Sequence, residues 1–136
     1  MVKRTFVMIV SIFLVFPVKS QHFIGKNKDQ VEKDMETLYP DFAIDHSSVN
    51  HTYKYLKYVN KVNEQTMLVF LSENDVCTST QLMSDYANLL QVKTDLNKKY
   101  KHVGKDKWTY SVQNEKFLVK IKREEWFFTV FTNKDE

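Results

Sequence analysis

The sequence predicts an α+β fold: two helices packed on one face of an antiparallel sheet, in αβββ-αβββ order. Three observations carry this expectation. Two segments repeat apolar residues at helical spacing, six short stretches of strand-like composition are separated by polar connections of hairpin length, and the run of a helix followed by three strands occurs twice.

Ahead of these elements stands "MVKRTFVMIVSIFLVFPVKSQ", with Lys3-Arg4 at its start, an apolar run over 6–18, and small Ser20 with Val18 two residues before it. The run is short for a bilayer span of about 20 residues, and Pro17 and Lys19 close it. The pattern is that of a signal peptide cut after Ser20. Residues 1–20 are therefore read as a leader and 21–136 as a single domain, which makes the protein exported, either periplasmic or secreted, with no membrane span in the mature chain.

In the mature chain, Val31, Met35 and Leu38 recur at helical spacing, Asn27 can cap with Gln30 three residues later, and Pro40 ends the segment; the spacing predicts a helix over 28–38. "HTYKYLKYVN", "TMLVFLS" and "VCTSTQLM" follow as three strands joined by "KVNEQ" and "SEND". "SDYANLLQVKTDLNKKY" opens the second half as a helix with Leu89, Val92, Leu96 and Tyr100 on one stripe and Ser84 or Asp85 as its cap. "HVGKDK" then turns into "WTYSV", "KFLVKI" and "WFFTVFT", a meander of antiparallel strands. Gln30, Val31, Asp34, Met35 and Tyr39 fall opposite Gln91, Val92, Asp95, Leu96 and Tyr100 at one offset, so an internal duplication into 21–83 and 84–136 is one reading of the order.

Alternation along a strand decides which side chains meet the helices. Met67, Val69 and Leu71 form one apolar row, Trp108, Tyr110 and Val112 another, and Phe117, Val119 and Ile121 a third; on the last strand Trp126, Phe128 and Val130 are the matching set. The opposite phase holds Leu68, Phe70, Leu118, Phe127 and Phe131 among lysines and threonines. An uncovered sheet face of that composition marks a contact surface. These five residues are the expected binding site, for a protein partner or other envelope ligand, or for a second copy in a homodimer; a sheet curled until the face is internal is the competing arrangement. The phase of Tyr53, Tyr55 and Tyr58 stays open.

Without Lys3, Arg4 and Lys19 the chain has 17 Lys and Arg against 17 Asp and Glu. That balance removes the charge argument for nucleic acid or an anionic surface, and "NKKYKHVGKDK" and "KIKRE" read as solvated surface. The single cysteine, Cys77, leaves no intramolecular disulfide and reads as a small packed hydrophobe. Gly25 and Gly104 are the only glycines, so no phosphate-cradling loop exists. No cofactor, metal site or catalytic constellation is predicted. The alternative is a small exported hydrolase or metal-dependent enzyme using His46 and His51 of "DHSSVNH", next to Asp45 and Ser48. Asn50-His51-Thr52 forms a glycosylation sequon, meaningful only in a eukaryotic source.

The leader, the "GKNKDQVEKDM…YPDF" helix and the doubled order of elements resemble small exported bacterial domains of the beta-lactamase-inhibitor-protein-like architecture. The resemblance covers most of the mature chain in element order and implies binding of other proteins through the sheet face. The chain departs from that family in lacking the cysteines for its disulfides.

Overall fold

A computed structural model describes residues 22–46 and 53–135; the leader, Ser48, His51 and the sequon lie outside the described residues. Helix α1 spans Lys28–Leu38, and the Asn27 side chain accepts a 2.9 Å hydrogen bond from the Gln30 backbone N–H, as the spacing predicts. Strands β1 (Ala43–Ile44), β2 (Tyr55–Asn60), β3 (Gln65–Leu71) and β4 (Cys77–Asp85) follow. A 3-10 turn over Tyr86–Asn88 leads into α2 (Leu89–Lys99), then β5 (Lys101–Gly104), β6 (Lys107–Val112), β7 (Glu115–Arg123) and β8 (Phe127–Lys134).

All eight strands form one antiparallel sheet in the order β1-β2-β3-β4-β8-β7-β6-β5. The chain is thus αββββ-αββββ, which corrects the αβββ-αβββ expectation: β1 and β5 add a strand to each half. Both are short sheet edges without an alternating apolar pattern, formed by pairing to a neighbour and not by their own composition. The halves meet at the β4–β8 pair, so either edge of the sheet reads inward through four strands of one unit.

The two helices have the same length, are capped at the C-terminus by Tyr39 and Tyr100, and each carries a Gln-to-Asp side-chain hydrogen bond, Gln30 to Asp34 at 2.8 Å and Gln91 to Asp95 at 3.0 Å. Val31 and Met35 of α1 bury against Leu56, Tyr58, Met67, Val69, Leu71 and Cys77. Leu96 of α2 buries with Trp108, Val119, Ile121, Phe128 and Val130. Leu82 packs against both clusters. The cross-strand row Tyr58–Met67–Leu82–Val130–Ile121 therefore runs along one face, beneath both helices, because residues directly opposite in an antiparallel pair share a face.

Two local expectations are corrected. Ser84 and Asp85 do not cap α2; they end β4, and Asp85 caps the 3-10 turn through the Ala87 N–H at 2.8 Å. Trp126 is not a core residue of the last strand. The Glu124 N–H donates to the Phe127 carbonyl at 2.8 Å and Arg123 lies opposite Phe128, so Glu125 and Trp126 are the two central positions of a tight turn and the indole is outside. "QNE" also makes a two-residue turn, in which Gln113 and Asn114 both have positive φ (50° and 64°), as a type I′ hairpin demands.

Candidate functional site

The face away from the helices can be written strand by strand from the register. One row reads Tyr55–Phe70–Ser79–Asn133–Leu118–Thr109–Lys101, and the next reads Lys57–Leu68–Gln81–Phe131–Lys120–Lys107. A third, Val59–Thr66–Met83–Thr129–Lys122, lies nearer the β2–β3 turn. Leu68, Phe70, Leu118, Phe127 and Phe131 all occupy this side, but they do not form one continuous patch.

Leu68 and Phe70 belong to an aromatic cluster with two residues whose phase the sequence left open. Phe70 meets Tyr53 and Tyr55 edge-on, with ring centroids 6.4 Å and 5.9 Å apart. These side chains line a shallow depression of about 800 Å³ whose polar edge is made by Thr78, Ser79, Gln81 and Glu73. Phe131 stands across Gln81 from Leu68, and Leu118 stands beyond Ser79 and Asn133 from Phe70. Phe127 is four residues from Phe131 on the same strand, about 13 Å away, with Thr129 between. It belongs to the end of the sheet more than to its face.

Tyr53, Tyr55, Ser79 and Gln81 are the residues sequence reasoning missed. The sequence alone did not place Tyr55: with "KVNEQ" as the whole connection Asn60 would face Thr66, whereas in the structure Asn60 pairs with Gln65, and counting back along both strands puts Tyr55 opposite Phe70. Tyr58 falls in the other phase, buried beneath α1, where loss of hydration pushes its phenol up to about 12.

Charge is less evenly spread than the total indicates. Residues 22–85 hold six lysines against ten Asp and Glu, whereas 86–136 hold eleven Lys and Arg against seven. Lys101, Lys107, Lys120 and Lys122 come from the two basic runs and lie on the helix-free side of β5, β6 and β7. Lys107 sits directly opposite Lys120, a like-charge pair.

Other chemistry-bearing groups sit apart from this face. Cys77 is buried in the α1 cluster, and its thiol is pushed up to about 12 by burial, which removes nucleophilic thiolate at neutral pH. His22 is buried with Nδ1 2.7 Å from Tyr110 Oη and its ring against Phe117. His46 is exposed just past β1, beside a hollow shared with Glu32, Glu36 and Tyr58. Among the described residues no three His, Cys, Asp or Glu are grouped to hold a metal ion. Nor is any helix among them long and apolar enough to cross a membrane.

No family model, no curated protein and no solved structure matches the chain.

Proposed function

We propose that the protein is an exported binding domain that holds a protein partner on the helix-free face of its sheet, without catalysis. The observation that carries this reading is the Tyr53–Tyr55–Leu68–Phe70 cluster beside Gln81 and Phe131, on the side of the sheet that neither helix covers. Tyrosines suit the task because they offer a large amphipathic contact area while fixing only two torsions.

Magnitudes describe the partner. Tyr55, Leu68, Phe70 and Phe131 are already half-buried, so sealing each contributes about 1 kcal/mol, below the 1.5–3 kcal/mol of a fully exposed side chain. Their sum meets only the low end of an association cost of about 4–15 kcal/mol. Hydrogen bonds to Gln81, Ser79 and Thr78 must add the rest, so the fitting partner is amphipathic: polar in the middle, apolar toward Phe70 on one side and Phe131 on the other. The same reading treats the two αββββ units as copies of one ancestral unit, supported by equal helix lengths, matching caps and matching Gln-to-Asp bonds.

The test compares wild type with Phe70→Asp and Phe131→Asp, by capture from cell-envelope extract and by light scattering. Loss of a captured protein that also binds when purified supports the reading, while loss of a dimer assigns the face to self-association. If captured proteins and oligomeric state are both unchanged, the face is not a contact surface.

A further inference from the structure

The helix-free face changes character at the β4–β8 seam. Along the row Lys57–Leu68–Gln81–Phe131–Lys120–Lys107, apolar and amide side chains give way to lysines past Phe131. At one strand spacing per step, Phe131 stands about 10 Å from Leu68, Lys120 about 14 Å and Lys107 about 19 Å. Lys101 joins the two lysines from β5, opposite Thr109 and so two residues along from Lys107. At the other end of the row Lys57 adds no free charge, because the Asp45 carboxylate lies 3.3 Å from its Nζ.

Lys101, Lys107 and Lys120 are exposed, and among the described residues none of them takes part in an ion pair. No acidic residue shares their face on β6, β7 or β8. The acids at the strand ends and connections are engaged elsewhere: Asp106 with Arg123 and Lys93, Glu124 with Lys122, Asp135 with Lys116, and Glu115 with Lys134. Glu125 is left, at the tip of the β7–β8 turn and five residues beyond Lys120. Opposed like charges at Lys107 and Lys120 are unfavourable in the free protein, and a partner bearing carboxylates relieves them where an apolar one does not. A polymer charged along its whole length meets only half of this face as a cation, since beyond Phe131 the row holds Gln81, Leu68 and a lysine already paired. A segment apolar at one end and acidic at the other meets both halves.

We infer that the partner of this face is an acidic protein segment that lays apolar side chains over Leu68 and Phe131 and carboxylates over Lys120, Lys107 and Lys101. The inference rests on the reading of the face as a contact surface and adds the chemistry of the partner and its direction across the sheet. The span from Leu68 to Lys107 takes about six residues of extended chain.

Fluorescence polarisation on the purified protein compares four labelled probes: a peptide of leucine and phenylalanine followed by glutamates, the same peptide with lysines for the glutamates, an all-glutamate peptide, and oligothymidine. The first is expected to bind most tightly at low salt and to lose its advantage over the lysine peptide as salt rises. An exposed ion pair is worth at most about fivefold, so Lys107→Ala with Lys120→Ala weakens the first peptide by up to about 25-fold and does not weaken the lysine peptide. Lys107→Glu with Lys120→Glu reverses the order of the two. Both side chains are exposed, so neither double variant touches the core. Glutamate and lysine peptides that bind alike, both weakened by Phe131→Asp, overturn the inference and leave the contact surface standing. Absence of binding at low salt, binding of the first peptide that Phe131→Asp leaves untouched, or tighter binding of the all-glutamate peptide or of oligothymidine also overturns it, and capture from envelope extract then decides the contact surface by itself.

Discussion

Phe128 and Phe131 sit three residues apart on β8 with opposite phase, and replacing each by alanine measures the two faces of the sheet against one another. Phe128 is fully buried with Trp108, Val119, Ile121 and Val130, its ring 5.9 Å from Tyr86. Truncating a phenylalanine in such a site costs about 3–5 kcal/mol, part lost burial and part a cavity the neighbours cannot close. Phe131 is half-buried between Gln81 and Lys120, and its removal leaves a notch open to water, so only the transfer part is lost, about 1 kcal/mol. For a domain of this size each kcal/mol moves the melting temperature by about 3–6 °C. Phe128→Ala should therefore melt about 10–25 °C lower and Phe131→Ala about 3–6 °C lower. Urea titrations of both variants should keep the wild-type m-value, showing that the same surface unfolds. Equal destabilisation would refute the assignment of faces, because it would mean that Phe131 is roofed by the protein's own chain.

Three further outcomes follow from buried or capping groups. Burial, and secondarily the charge of Lys26, holds the His22 imidazole below its ordinary value, so the folded state prefers it neutral: its stabilisation is complete above the unfolded value of about 6.5 and is lost as pH falls through the lowered folded value. His22→Phe should flatten the decline in urea midpoint between neutral and mildly acid pH. Cys77, buried with its thiol pushed up to about 12, should resist iodoacetamide at pH 8 in the folded protein and react at once in urea; rapid labelling of the native chain would contradict its packing against α1. Asn27→Ala removes the side-chain acceptor for the Gln30 N–H and should cost about 1 kcal/mol, read as a lower urea midpoint with unchanged m-value.

How much of this was legible in the sequence depended on whether a residue's fate was set locally. Helix α1 was readable to its ends because its apolar spacing lies within it and Asn27 and Pro40 lie just outside its two ends. Phe117–Val119–Ile121 is buried as predicted, since Lys120 and Lys122 leave that strand one choice of phase, and Met67–Val69–Leu71 is buried as its wholly apolar phase predicts, although Leu68 and Phe70 make the other phase of that strand apolar too. Strands β1 and β5 were not readable, because an edge strand of two or four residues exists through its neighbour's hydrogen bonds. Trp126 was misplaced because composition favours a strand there, while the pairing of Arg123 with Phe128 makes it a turn. The five residues expected on the open face are on it, but their separation by Gln81, Ser79 and Asn133 comes from strand order, and nothing within a single strand encodes that β4 lies against β8.

That central pairing also explains why a charge-balanced sequence yields an unbalanced surface. Each αββββ unit keeps its strands together, so the acidic excess of 22–85 and the basic excess of 86–136 are carried to opposite halves of the sheet, with the β4–β8 seam as the divide. Within the basic half, alternation sorts Lys120 and Lys122 onto the helix-free face because Val119 and Ile121 are needed in the core, and the β6–β7 register then brings Lys107 opposite Lys120. Directly opposed like charges are unfavourable in themselves, and among the described residues no carboxylate lies paired with either. A domain selected for stability alone could place a glutamate at one of the two positions with no change to the core. Lys107→Glu should therefore raise the urea midpoint at low salt, and the gain should shrink as salt screens the pair; a midpoint that falls instead would show that an unseen carboxylate already balances these lysines.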